Sequence, residues 1–242
     1  MTMIVHSLPA EHYLDKINKQ EPFSLTRFGD GEVLCMFNPT FFNSRPIYKD
    51  WILSCGPALK QIFVNNYDYY HCFLDCTFWT RGPHRGDDFI NFLHETCPTT
   101  EFYDGEQWQN LSFTDRITEI TTAIDPYCPV FIGGKHLENM KFVTGITSMQ
   151  NIIIDDDNGY LDKDRVRNII IKKFGEGSRM FCFSASILSK VLIDELYPMI
   201  GDTCFLIDFG SVFDPYCGIL SRSNMVTVGF DKFQPYTKLQ LK

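Results

Sequence analysis

The sequence lacks any long hydrophobic run: none reaches the roughly 18 apolar residues that a membrane-spanning helix requires, so no transmembrane segment is expected. Met1 to Gln20 lacks a basic start, an apolar stretch and a small-residue cleavage site, and does not read as a secretory leader. Positive charge is scarce: 22 Lys and Arg stand against 30 Asp and Glu, a formal net charge of −8. That deficit counts against passive binding to nucleic acid or an anionic membrane, while leaving room for a local basic pocket. There is no CxxC pair. Cys72 and Cys76 lie on what reads as a strand, with no further ligands at zinc-site spacing. Internal repeats, a Gly/Ser linker, a P-loop, a dinucleotide fingerprint and a GxSxG elbow are all missing, the last of which excludes a serine hydrolase of that type.

What is present is a sizeable core. Of 242 residues 44% are hydrophobic and 22 are Phe, which excludes a disordered chain and needs neither disulfides nor a structural metal. At about 150 residues per domain the length fits one or two domains. The nine Cys are odd in number and several sit inside apolar runs such as Phe181-Cys182-Phe183, which points to reduced core thiols and a cytoplasmic location.

Along the chain, short apolar runs alternate with helical stretches. Strands are expected over 22–29, 69–77, 129–132, 151–154, 179–183 and 203–208, with a last one over 225–228. Helices are expected from Asp30 onward and over 57–65, 87–96, 114–124, 135–142, 162–174 and 184–197. Strands apolar on both faces and separated by helices predict an α/β fold, a mostly parallel sheet covered on both sides. Ligands of such sheets bind beyond the carboxyl ends of the strands.

Three strand ends carry candidate chemistry. In Arg27-Phe28-Gly29-Asp30-Gly31-Glu32, two glycines flank an acid and let the chain turn, so that Asp30 and Glu32 converge. Two converging carboxylates call for a cation between them, and a hard divalent ion with open positions for phosphate oxygens suits them. Arg27 adds a fork suited to a diphosphate. The plainer reading is a helix start, with Asp30 as the cap and Glu32 in the first turn. The second stretch, Asp208 to Tyr216, gathers Asp208, Ser211 and Asp214, with Arg222 further on; its plainer reading is a turn begun by Asp214-Pro215. The third, Gly133-Gly134-Lys135-His136, opens a helix whose free N–H groups suit a phosphate. Ser184 begins another helix, where capping is the simpler role. The basic loop around His84 and the aromatic faces of Trp79 and Trp108 are further candidates for anion closure and base stacking, against solvated-loop and core readings.

The RFGDGE stretch at 27–32 resembles the DxE motif of the GT-D-fold glycosyltransferases, a group first described as a domain of unknown function. The segment from Val130 to Arg222 also looks like that family, so the resemblance spans roughly Pro22 to Asp231. It implies a Rossmann-like core, and we read one glycosyltransferase domain over 1–242; the segments outside the likeness are taken as an N-terminal extension over 1–21 and an acceptor-side insertion over 78–112. It implies a nucleotide-sugar donor, a UDP-sugar being the expectation, and Mn²⁺ or Mg²⁺ at Asp30 and Glu32. A metal there would offset charge on the departing diphosphate. The donor-binding set is then Arg27, Gly29, Gly31, Gly133, Gly134, Lys135, His136, Ser184, Asp208, Ser211 and Arg222. Asp214 is our candidate for the acceptor's proton. A carbohydrate acceptor is favoured over nucleic acid by the acidic balance. Competing readings are a non-catalytic nucleotide-sugar-binding module, a transferase acting on modified nucleic acid and a metal-dependent phosphohydrolase.

Overall fold

Segments buried on both faces satisfy their backbone groups only inside a covered sheet. The computed structural model describes residues 5–37, 52–74, 87–155 and 159–241. Among these, eight strands form one sheet: β1 Val5–His6, β2 Ser24–Phe28, β3 Tyr70–Phe73, β4 Phe102–Asp104, β5 Val130–Gly133, β6 Gln150–Ile153, β7 Met180–Ser184 and β8 Phe205–Asp208. Their order is β1-β4-β3-β2-β8-β7-β5-β6, and every pairing is parallel.

The two-residue side-chain period divides the strands between two cores. Val130, Ile132, Phe181, Phe183 and Leu206 face one side. That side is covered by α2 Asp30–Phe37, α3 Ile52–Asn65, α4 Asp87–Thr96, α7 Lys163–Gly175 and α8 Ile187–Ile200. Phe131, Met180, Cys182, Phe205 and Ile207 face the other, under α1 Ala10–Asn18, α5 Gln107–Phe113 and α6 Ile117–Ile124. The fold is thus α/β and Rossmann-like, with helices on both faces.

The centre of the sheet sets the position of the site. β2 and β8 are neighbours, in register at Ser24 with Leu206 and Leu25 with Ile207. From β2 the chain enters α2, whose Val33 and Met36 join the first core; from β8 it runs through Phe209, Val212 and Phe213 into the second. Adjacent strands whose chains leave to opposite faces part at their carboxyl ends, which is where α/β sheets bind ligands.

Two expectations need correction. Residues 225–228 are not a strand but belong to a short helix, α9 Ser223–Val228. Val226 and Val228 are exposed, so their β-favouring side chains find no pleated surface to pack on. Ser184 does not open a helix: it ends β7, and α8 starts after Ser186, with the Ser189 hydroxyl accepting from the Ala185 N–H at 2.9 Å. The described part of the first twenty-one residues packs on the sheet: β1 pairs with β4 at one edge, and α1 buries Ala10, Tyr13, Leu14 and Ile17. Trp79, the His84 loop, Cys76 and Asp156-Asp157 lie outside the described residues. Among the described residues no helix is long and apolar enough to cross a membrane.

Candidate active site at the central strand ends

Where β2 ends, four charged side chains are packed below the surface. Arg27 is buried; its Nε donates to the Gly105 carbonyl at 2.9 Å, its Nη1 to the Phe209 carbonyl, and its backbone N–H to Asp208 Oδ2 at 3.3 Å. Gly210 adopts a left-handed φ of 56°, and a Cβ there would stand 3.0 Å from Arg27 Nη1, so a glycine is needed where the chain turns over the guanidinium. Asp208 is fully buried, and its Oδ1 accepts from the Gly210 N–H at 3.0 Å. Lys190, on α8, reaches under the strands: Nζ lies 2.9 Å from Asp208 Oδ2, 3.1 Å from Glu32 Oε1 and 3.1 Å from the Ser186 carbonyl. Those three acceptors use all three ammonium protons. Ser186 holds φ 49° and ψ −132°, a costly conformation for a residue with a side chain, and it aims that carbonyl at the lysine.

The electrostatics follow from this mutual pairing. Burial alone would discharge Lys190, but Asp208 and Glu32 outweigh it and hold its pKa above the ordinary value. Burial likewise opposes the charge on Glu32, yet Lys190 and the Gly29 N–H keep its carboxyl below the usual range. Glu32 Oε2 accepts from that N–H at 2.9 Å, and the Val33 N–H reaches the Gly29 carbonyl at 3.4 Å. Gly29 is therefore the cap of α2 and Glu32 its reciprocal partner three residues on.

The two acids of the expected carboxylate pair differ in setting. In an α-helix, residues two apart project about 200° from one another around the axis. Asp30 is accordingly exposed while Glu32 is buried. The carboxylate that does meet Glu32 is Asp208, and the cation between them is an ammonium group. Arg27 and Asp208 are likewise buried and held by partners within the protein, Arg27 through Nε and Nη1 and Asp208 through Lys190 and the Gly210 N–H.

Above this layer lies a second set of groups that remains open. Asp30 is exposed and has no hydrogen bond or ion pair among the described residues, and nothing there would contact a Cβ at neighbouring Gly31. After β5, Gly133 lets the chain pass closely over β7: a Cβ on it would fall 2.6 Å from the Ser184 carbonyl. Gly134 caps the 3₁₀ turn Lys135–Phe142, leaving Lys135 exposed. His136 Nε2 lies 3.0 Å from Asp214 Oδ1, and the Asn139 amide ties the same turn to the Cys217 carbonyl at 3.0 Å. The Arg222 Nε donates to the Ser211 hydroxyl at 3.2 Å, and Arg222 is otherwise exposed. Ser184 Oγ and His136 Nδ1 are buried with no hydrogen-bond partner. They sit at the ends of adjacent strands, in register at Gly133 with Ser184. Buried polar atoms are rarely left so, and these two are among nine such side-chain atoms of the described residues, the others including Ser24, Thr26 and Asn151.

The donor set suits a divalent ion only in part. Both Glu32 oxygens have a partner, whereas Asp30 is exposed and has none among the described residues. Mg²⁺ is commonly held by one or two carboxylates together with substrate phosphates, and Asp30 fits that role.

Solved structures resemble this chain along nearly its whole length. One, described as showing that the highly conserved domain of unknown function 1792 has a distinct glycosyltransferase fold, is 14% identical, covers 98% of this chain and 92% of its own, and superposes with a TM-score of 0.63. The chain has that glycosyltransferase fold. A selenomethionine-substituted structure of the same domain gives 0.61 at 15% identity over the same shares of each chain. A third, described as a new glycosyltransferase from Streptococcus sanguinis, gives 0.58 at 13% identity over 99% and 96%. No family model and no curated protein matches the sequence. With the fold in place, one residue stands out as missed by the sequence reading. Lys190 lies in Ile187-Leu188-Ser189-Lys190-Val191-Leu192-Ile193, and a lone cation inside so apolar a helical run was the available signal that a buried partner awaited it.

Proposed function

We propose that this chain is a glycosyltransferase that moves a sugar from a nucleotide donor, a UDP-sugar in the first instance, to a hydroxyl acceptor. The observation that carries the reading is the near full-length likeness to structures described as glycosyltransferases, with open charges at the strand ends where that fold would take its donor. Glycosyl transfer breaks the bond between sugar and diphosphate through an oxocarbenium-like state, and negative charge grows on the leaving group. Lys135, Arg222 and the N–H groups after Gly134 are the donors for that charge. The orphaned Ser184 hydroxyl and His136 nitrogen would hydrogen-bond the donor in the same place. Mn²⁺ or Mg²⁺ held at Asp30 would supply Lewis-acid neutralisation of the diphosphate when bound. Asp214, acting with His136 at 3.0 Å, is our assignment for accepting the proton of the incoming hydroxyl.

The net charge of −8 favours a glycan or small hydroxyl acceptor over nucleic acid. The eight described cysteines are all free thiols, which supports a cytoplasmic enzyme. The test is nucleotide release from a panel of hexose and pentose nucleotide sugars, with Mn²⁺, Mg²⁺ or a chelator. Release from one donor, stimulated by a divalent ion, is expected. Tight nucleotide binding with no turnover of any donor would make the chain a binding module, and phosphate release from simple esters would make it a phosphohydrolase.

A further inference from the structure

Beneath the open groups, Lys190 stands between two buried carboxylates from different strand ends. We propose that Lys190 is the resident cation of the RFGDGE turn: a positioning residue that fills the ground between Glu32 and Asp208, so that Asp30 is the carboxylate of that turn left to meet an incoming divalent ion. The inference rests on the transferase reading only for the identity of that ion.

The contacts carry the argument. The lysine is 4% exposed and its three protons have three acceptors, on α2, at the end of β8 and before α8. Each Glu32 oxygen already has a partner, Oε1 in Lys190 and Oε2 in the Gly29 N–H that closes the cap of α2. A divalent ion at Glu32 would have to compete with the ammonium at one oxygen or with the helix cap at the other. Asp30 pays no such cost, because it leaves the same turn on the opposite side of the helix, exposed. Through Glu32 the lysine fixes the first turn of α2 and hence the direction of Asp30; through Asp208 it fixes the chain at Gly210 that covers Arg27.

A neutral side chain in place of Lys190 leaves two buried carboxylates facing one point with no cation, and hard carboxylates so placed recruit a divalent ion. The experiment is a MnCl₂ titration followed by electron paramagnetic resonance of free Mn²⁺, with melting temperatures recorded with and without MnCl₂. It is run on the full chain and on Asp30→Asn, Glu32→Gln, Lys190→Met and Lys190→Arg. Lys190→Met is expected to bind Mn²⁺ about tenfold or more tighter than the parent, and its melting temperature to rise further on adding MnCl₂. Asp30→Asn is expected to weaken binding about tenfold, Glu32→Gln to stay within about threefold of the parent while melting earlier, and Lys190→Arg to keep the parent's affinity. A merely structural lysine would not create a metal site on removal, so the absence of a gain in Lys190→Met overturns the proposal. Loss of Mn²⁺ in Glu32→Gln as deep as in Asp30→Asn overturns it as well, and is readable if Lys190→Met does not fold. Failure of the transferase reading shows instead as an inert donor panel, which leaves these affinities to be read on their own.

Discussion

Two layers of charge lie at the same strand ends and behave in opposite ways. In the lower layer Arg27, Glu32, Lys190 and Asp208 are buried, and each spends its hydrogen-bonding capacity on the others or on the backbone. In the upper layer Asp30, Lys135 and Arg222 are exposed, while His136 and Asp214 form a largely buried pair. A buried ion that loses its partner is costly, so the lower layer holds the geometry of the turn. The upper layer has the reverse property: weakly coupled to the fold, it is free to meet an anion. Motif residues two positions apart, Asp30 and Glu32, fall into different layers because a helix turn separates them.

The widest break between the layers should come from the lower one. Lys190→Ala strands two buried carboxylates, and the cost is expected at about 3–5 kcal/mol in urea unfolding of the metal-free chain. Acid should act on the same side of the molecule. His71, on β3 beside β2, is fully buried, and desolvation depresses its pKa to about 4. The unfolded chain then binds a proton from about pH 6.5 downward that the folded chain refuses, so stability falls as pH drops from 6.5 to 4 and is restored above it. The loss is on the order of 3 kcal/mol across that window, and His71→Phe should flatten the acid limb of a stability-against-pH curve.

The upper layer should answer in rate rather than in stability. Asp30→Asn is expected to lower kcat for donor turnover about 100-fold while shifting unfolding by less than about 0.5 kcal/mol. An Asp30 variant that unfolded as Lys190→Ala does would erase the distinction. Lys135→Ala and Arg222→Ala, each one of several donors to a diphosphate, should lower kcat/KM by about tenfold apiece, read from the same nucleotide-release assay. The smallest effect is expected at an exposed apolar side chain: Val226→Ser should change stability by less than about 0.5 kcal/mol in the same urea unfolding.

Much of the fold was legible in the chain because its signals are local. Met180–Ser184 and Phe205–Asp208 announce themselves as short apolar runs, and α4 as a helical period over Asp87–Thr96. The spacing of Ala10, Tyr13, Leu14 and Ile17 carried the same signal for α1, although 1–21 was read as an extension. Residues 225–228 misled because Val-Thr-Val favours a strand only where a neighbouring strand exists. Strand ends could be read from the chain, and with them the positions of Asp30 and Lys135, which are exposed; the burial of Arg27 and Asp208 could not, because it depends on what packs over them.

The sequence by itself determined most of the central strands and the helices between them, and therefore that polar residues follow the strand ends, because periodicity and turn chemistry act over a few neighbouring residues. Only the tertiary structure decided which charges meet. Lys190 with Glu32 and Asp208, Arg27 with the carbonyls of Gly105 and Phe209, and His136 with Asp214 are contacts across long stretches of chain. Strand order and burial select those partners, and a charge shielded from water takes whichever opposite charge or carbonyl the packing brings to it.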